Sequence, residues 1–509
     1  MISTGIIYAL VLIFGFIGVM AVLDRFDLLE PVGLELSGPF LMWKTKKGRD
    51  LIERISKKKR FWELYGSVGI VIVAIAMIII FLMVIFNAYV ATSIPAEQAP
   101  EANEILVIPG VNPFIPIGYG ILSLAVGIIV HEFSHGILSR VADVDIKSLG
   151  LIFLVVPLGA FVEPDEDQLE GAERLKRDRM YAAGATSNIV LALVIVLIFS
   201  MVFMGSVSVK EEGPMITATG VNTPADEAEI QTYEQIREID GKEILKPSEI
   251  LSIDIEPLKR VEVKTLRGDE TRTYNLTAGL VINGVAKDSP ADRAGLKAGD
   301  IFYQIDNEKI RNRDDFTEAL DGKSDDVQLK ISYFRKDDSD YARENNSLNL
   351  KDGLMGVNLG YFGVVTQEAD WIIQLLSRPL SGAENGAEAL QNAAGYISLP
   401  LLGLSPLPEQ IAEQYEVNGP LSMLPTSSFW VLANSLYWIF WLNILLGLFN
   451  ALPAVPLDGG HLINDWMEGL SERLGLNEET GKKLSSSVTY ALALLVLFLL
   501  MWSMIGPRI

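Results

Sequence analysis

The sequence has no cysteine among its 509 residues. Disulfide frameworks, zinc ribbons and thiol nucleophiles are therefore excluded, and any metal must be held by histidine, aspartate or glutamate. Histidine is scarce too: only His131, His135 and His461. Positive charge is in the minority, with 42 Lys and Arg against 64 Asp and Glu and a formal net charge of -22. That balance argues against a nucleic-acid footprint on electrostatic grounds. What the chain has in quantity is apolar side chains, 50% of its residues with a mean hydropathy of +0.30, too apolar on average for an ordinary soluble chain, so a membrane protein is the first reading to test.

A bilayer-spanning helix needs about 20 largely apolar residues. Thr4 to Leu23, Val68 to Val90, Phe429 to Phe449 and Val488 to Ile505 meet that length, and Ile115 to Ser139 and Ala182 to Met204 do so while carrying polar residues. The first window lacks a basic leader and an evident small-residue cleavage site, so an anchor is expected there, with a signal peptide as the alternative. Lys44, Lys46, Lys47, Arg49, Arg54 and Lys57 to Arg60 lie between the first two windows, and Arg174, Lys176, Arg177 and Arg179 precede the fourth. Basic loops stay cytoplasmic. Counting from them puts the N-terminus, the acidic Glu97 to Glu104 loop and the long region after Met204 outside.

From about Ser206 to Gly363 short alternating apolar stretches are broken by Gly, Pro, Asn and Asp, which predicts soluble β-rich structure. This region repeats itself. Pro224-Ala225-Asp226 followed by Ile239-Asp240-Gly241 recurs 66 residues later as Pro290-Ala291-Asp292 followed by Ile305-Asp306-Asn307. The second copy, with Ser289-Pro290-Ala291, Ala294-Gly295-Leu296, Gly299-Asp300 and Ile305-Asp306, resembles the PDZ domains of membrane-associated and periplasmic-type proteases. The first is a degenerate match, with Tyr233-Glu234 where the second has Gly299-Asp300. The resemblance implies capture of extended peptides at a sheet edge; a packing or size-excluding role is the alternative. Glu368 to Pro425 mixes amphipathic pieces such as Trp371 to Leu376 with turns and is expected along the outer membrane surface.

His131-Glu132-Phe133-Ser134-His135 is an H-E-x-x-H motif. On a helix, residues i and i+4 share a face, so both imidazoles can bind one Zn²⁺ while Glu132 lies beside them to take a proton from water. With three histidines in 509 residues, a chance match is expected on the order of 0.001 times. Ionisable side chains at the end of an apolar run are also costly in a bilayer, and metal ligation offsets that cost. A catalytic zinc takes three protein ligands and leaves one position open. The best third candidate is Asp458, in Asn450-Ala451-Leu452-Pro453-Ala454-Val455-Pro456-Leu457-Asp458-Gly459-Gly460-His461, because the window before it runs in the same direction as the one bearing His131.

The pairing of H-E-x-x-H with N-x-x-P-x-x-P-L-D-G-G resembles the signature of the site-2 protease family of intramembrane zinc metalloproteases. The order of parts resembles it as well, with a three-helix core at Ile115 to Ser139, Ala182 to Met204 and Phe429 to Phe449 and PDZ domains inserted between its second and third helices. The resemblance implies zinc ligands at His131, His135 and Asp458, a general base at Glu132, and a substrate-holding role for Asn450, for which a helix C-cap is the alternative. Pro157 to Val162 resembles the family's membrane-dipping hairpin, with Ala160 where glycine is more usual. Gly184 to Asn188 resembles its G-P-x-x-N stretch with Ala185 in place of proline, and for Asn188 packing between helices is preferred. His461 is expected to hydrogen-bond within its loop and not to ligate.

The expected architecture is a polytopic α-helical membrane protein of about six transmembrane helices with an inserted tandem of β-rich PDZ-like domains. Its expected parts are an N-terminal transmembrane pair with a basic cytoplasmic loop (1–110), protease core helices (111–205), a degenerate PDZ-like domain (206–280), a PDZ domain (281–365), an extracytoplasmic connector (366–427) and the last core helix with a C-terminal span (428–509). The expected substrates are transmembrane proteins, which must unwind locally because a helical amide is shielded and its backbone bonds are satisfied. The active site is expected toward the cytoplasmic side. An inactive scaffold binding peptide termini through its PDZ domains is the alternative; the intact Glu132 speaks against it, since a structural zinc site needs no base. A zinc protease with a soluble catalytic domain conflicts with the apolar run before His131.

Overall fold

The computed structural model describes residues 4–508 except 30, 32, 46–47, 95–98, 100, 155, 324–326, 338–339, 380–384, 403–406 and 408. Lys46, Lys47 and Glu97, read above as loop residues, lie outside the described residues. Contacts divide the chain into two units: 1–199 with 397–406 and 431–509, and 200–396 with 407–430.

The first unit is helical. Among the described residues, Lys59–Ala91, Ile117–Val141, Ala183–Ser206, Thr426–Asn450 and Glu478–Arg508 are long and apolar enough to cross a membrane. A 25-residue helix spans ~37 Å, more than the ~30 Å of hydrocarbon it must cross, and it satisfies its own backbone groups. These segments cover five of the six apolar windows to within two residues; the sixth, Thr4 to Leu23, is helical as α1 (Thr4–Arg25). The chain continues with α2 (Arg49–Ser56), α3 (Lys59–Ala91), α4 (Ile117–Val141), α5 (Arg174–Tyr181), α6 (Ala183–Leu197), α7 (Thr426–Asn450, in this unit from Val431), α8 (Asp458–Arg473) and α9 (Glu478–Ile505). Helix α3 starts nine residues before the apolar window that predicted it, because amphipathic Trp62 and Tyr65 stack edge-on and Trp62 Nε1 donates to Ile55 O at 2.9 Å, carrying the helix into its basic flank.

Four antiparallel strands, β1 (Leu34–Ser37), β2 (Phe40–Thr45), β3 (Ile146–Leu154) and β4 (Val156–Pro164), form one sheet in that order. The stretch Pro157 to Val162, read as a hairpin by resemblance, falls within β4; its pairing with β3 and the extension by residues 34–45, within a stretch read only as a basic loop, were not read from the sequence. Strand β4 ends the sheet, and among the described residues no strand pairs with its outer edge. The helices pack through small and branched side chains. Ile52, Ile137, Leu138, Met180 and Ala183 form one cluster, and Val73, Ala76, Ala182, Ala185, Ala451 and Leu462 another. Tyr65 OH lies 2.7 Å from Ser187 Oγ, so α3, which no motif placed, rests directly on α6.

The second unit holds two sheets of matching topology. Strands β5 (Pro214–Thr219), β6 (Gln235–Ile239), β7 (Arg260–Arg267) and β8 (Glu270–Thr277) are matched by β9 (Leu280–Val285), β10 (Ile301–Ile305), β11 (Gln328–Asp337) and β12 (Asp340–Asn349). Each set is closed by a later strand, β13 (Val357–Tyr361) beside β9 and β14 (Val364–Glu368) beside β5. The two copies are thus nested and not in tandem, since the first sheet takes its last strand from beyond the second. Equivalent hydrogen bonds recur 66 residues apart: Ala225 N–H donates to Phe362 O and Ala291 N–H to Met355 O, both at 3.0 Å. The Tyr233-Glu234 departure is absorbed. Tyr233 takes a left-handed φ of 70° where Gly299 has 92°, and Glu234 and Asp300 are both buried against arginine, Arg272 at 3.1 Å and Arg335 at 2.6 Å.

Asp178 on α5 is buried, beside Asp465 and Trp466 of α8. Burial first, then the Asp465 charge, pushes its carboxyl up to about 6, against the opposing pull of Arg174 and Arg177. The folded protein holds this proton more tightly than the unfolded chain, so the stability it contributes is present in acid and lost as pH rises from the model-peptide value of 3.8 to about 6. Asp178→Asn should therefore gain melting temperature relative to the wild type between pH 4.5 and pH 7.5; an unchanged difference between the two pH values would contradict the account.

Candidate metal centre

Helix α4 places His131 and His135 one turn apart, and their rings meet edge to face at 4.8 Å between centroids. The third group arrives from 300 residues away in sequence. After α7 the chain turns through Ala451 to Leu457, and Asp458 is the first residue of α8. This turn requires Gly459 and Gly460: a Cβ at Gly459 would lie 2.2 Å from Ala451 O, and one at Gly460 2.4 Å from Val455 N.

Asp458 Oδ2 lies 3.5 Å from His131 Nε2, Oδ1 lies 3.4 Å from His135 Nε2, and the two Nε2 atoms are 3.2 Å apart. The three side chains form a group able to hold a metal ion, with one ligand atom from each all within 4.8 Å of one another. Bonds of about 2.0–2.1 Å at tetrahedral angles put ligand atoms ~3.3–3.4 Å apart, close to what is seen. The hydrogen bonds behind the rings favour the same use. His135 Nδ1 faces Met180 O at 2.9 Å, and since a carbonyl can only accept, Nδ1 carries the proton and Nε2 presents its lone pair.

Asn188 can do the same for His131. Its amide nitrogen is 3.2 Å from His131 Nδ1, while its Oδ1 is buried without a hydrogen-bond partner. Turning the amide over lets Oδ1 accept from Nδ1–H, satisfying the orphaned oxygen and freeing Nε2 toward the metal position. Two imidazole lone pairs and a carboxylate then converge with no donor among them, an arrangement that a cation resolves. Packing between helices was the preferred sequence reading of Asn188; its contact with His131 gives it a more specific place. The signal was present as a buried amide in the apolar run 183–197, but a run of that kind does not say which side chain the amide meets.

Glu132 sits beside this group and accepts a hydrogen bond from Val162 N–H of β4 at 3.1 Å. Asn450, by contrast, turns back on its own helix, its Nδ2 donating to Leu446 O at 3.0 Å. His461 lies in the first turn of α8 and not in a loop, and stacks on Tyr181 with centroids 5.1 Å apart. It is not part of the three-residue group.

The sequence profile of Peptidase family M50, the site-2 protease family, matches residues 119–496, most of the chain and all of the group just described. The chain belongs to this family of membrane peptidases. An uncharacterized protein of Methanocaldococcus jannaschii is 24% identical over 86% of this chain and 80% of its own length. A Neisseria meningitidis protein provisionally named a zinc metalloprotease is 24% identical over 70% of this chain and 92% of its own. The regulator of sigma E protease of Haemophilus influenzae is 23% identical over 68% and 85%.

Gly184, at the start of α6, reports on the geometry. A Cβ there would lie 2.4 Å from His135 Nε2 and 2.5 Å from His131 Nε2, so only glycine lets α6 approach the imidazole pair this closely. Gly184→Ala should weaken zinc binding at least about 10-fold, measured by competition with a chromophoric chelator; wild-type affinity would mean the rings do not occupy this place.

Proposed function

We propose that this chain is a zinc-dependent intramembrane endopeptidase that hydrolyses peptide bonds in or next to the transmembrane segments of membrane proteins. The observation that carries the reading is the convergence of His131, His135 and Asp458, from two helices far apart in sequence, beside Glu132. His131, His135 and Asp458 would hold the zinc. Bound there, zinc supplies Lewis acidity toward the scissile carbonyl and toward water.

Glu132 takes the proton of the attacking water and returns it to the leaving amine, and Val162 N–H holds its carboxylate in place for both transfers. The unpaired edge of β4 offers backbone groups to an unwound substrate strand, so the bond to be cut is presented extended and not as helix. Asn450 is assigned to holding that strand, which requires it to release Leu446 O when substrate enters.

The active site is read as lying toward the cytoplasm and the second unit outside, a reading supported by the basic segments 44–60 and 174–179. The two copies in that unit are read as PDZ domains. This is supported by their shared topology and by the terminal strands β13 and β14, each of which has, among the described residues, one edge that no strand pairs with and where a peptide terminus can add. The partners are thus a transmembrane protein substrate and the bilayer itself, with peptide termini at the PDZ copies.

Glu132→Gln keeps the size of the side chain and removes the base. It should lower the cleavage rate of a test transmembrane substrate by 10² to 10⁴-fold, the range expected of a general base, while zinc content stays at the wild-type value. Equal cleavage by both proteins would remove the protease reading.

A further inference from the structure

Helices α5 and α8 run side by side and are joined by three contacts at helical spacing. Arg174 Nη2 meets Glu472 Oε1 at 2.8 Å, Arg177 meets Asp465 through two bonds of 2.9 and 3.0 Å, and Tyr181 stacks on His461. On α5 these residues stand at i, i+3 and i+7; on α8, His461, Asp465 and Glu472 continue the stripe that begins with Asp458. The outer ion pair is largely exposed and contributes little. The middle one is buried, its side chains 15% and 7% exposed.

The Arg177 guanidinium is used on every side. Besides the fork onto Asp465, its Nη1 donates to Glu170 O at 3.1 Å and Ala172 O at 3.0 Å, at and just after the end of the short helix Glu166–Glu170 that lies between β4 and α5. One side chain therefore ties together the segment after β4, whose Val162 holds Glu132; helix α5, whose Met180 carbonyl orients His135 one turn beyond Arg177; and helix α8, whose first residue is Asp458, two turns before Asp465.

We infer that the Arg177–Asp465 pair is a positioning device for the metal centre, fixing how far Asp458 reaches toward His131 and His135 without touching any of the three. The inference rests on the metal reading proposed above. A lysine at 177 keeps the charge but supplies neither the fork nor the two carbonyl bonds, so α8 loses its fixed rotation and depth.

The test uses the full chain in detergent, with zinc itself as the probe and a chromophoric chelator as competitor. Arg177→Lys and Asp465→Asn should each weaken zinc binding 10- to 100-fold, as loss of a supporting partner does elsewhere, with the double variant no worse than the weaker single one. The exchanged pair, Arg177→Asp with Asp465→Arg, should recover part of the affinity. The visible spectrum of the cobalt-loaded variants should also shift from that of the wild type. If the melting temperature of the zinc-free variants falls while zinc affinity and the cobalt spectrum stay unchanged, the pair only holds the fold together and the inference is overturned. Wild-type protein that binds no zinc overturns the metal reading and this inference with it; tight binding retained by both single variants overturns this inference alone.

Discussion

The structure around the site depends on one electrostatic constraint. Two imidazole nitrogens and a carboxylate are held within about 3.5 Å of one another at low exposure, and with the proton of each ring on Nδ1 no donor lies between them. In a low-dielectric setting such an arrangement is unfavourable unless a cation sits in it. Much of the surrounding detail serves this convergence. Gly184 clears space for the rings, Met180 and Asn188 occupy their far nitrogens, and the Gly459-Gly460 pair lets the turn after α7 fold tightly enough to deliver Asp458.

The same constraint explains why the group is assembled from several segments. A single helix can present two ligands one turn apart, but a third on the same helix would stand too far along or around it to meet them at bonding distance. The third must therefore come from a separate element, whose position has to be set by packing. Helix α8 is placed by its contacts with α5 and by Leu462 among Ala182, Ala185 and Ala451. The stability of that packing and the competence of the proposed metal site are one problem.

How much of this was legible beforehand follows from the range of each signal. The H-E-x-x-H pair is local, and helical spacing alone puts His131 and His135 on one face. The D-G-G segment is local too, and its glycines have a steric reason. Asp458 could be paired with the histidines because topology aligned the two windows. The supporting contacts, Val162 to Glu132, Met180 to His135, Asn188 to His131 and Arg177 to Asp465, join residues 30 to 288 positions apart, and nothing in the local pattern of any one of them names its partner. The repeat in the second unit was visible as spaced identities, but its nesting was not, because the exchange of closing strands changes pairing without changing either copy's pattern. Tyr233 marks the limit of motif reading: the left-handed position that glycine holds in the second copy is held by tyrosine in the first.

The central claim is that these three side chains jointly bind one zinc ion. X-ray absorption at the zinc edge of the purified chain tests it most directly. The account predicts two imidazoles and oxygen in a four-coordinate shell at about 2.0–2.1 Å, with one oxygen ligand lost or replaced in Asp458→Ala. A zinc shell with fewer than two imidazoles, or one left unaltered by that substitution, would contradict it.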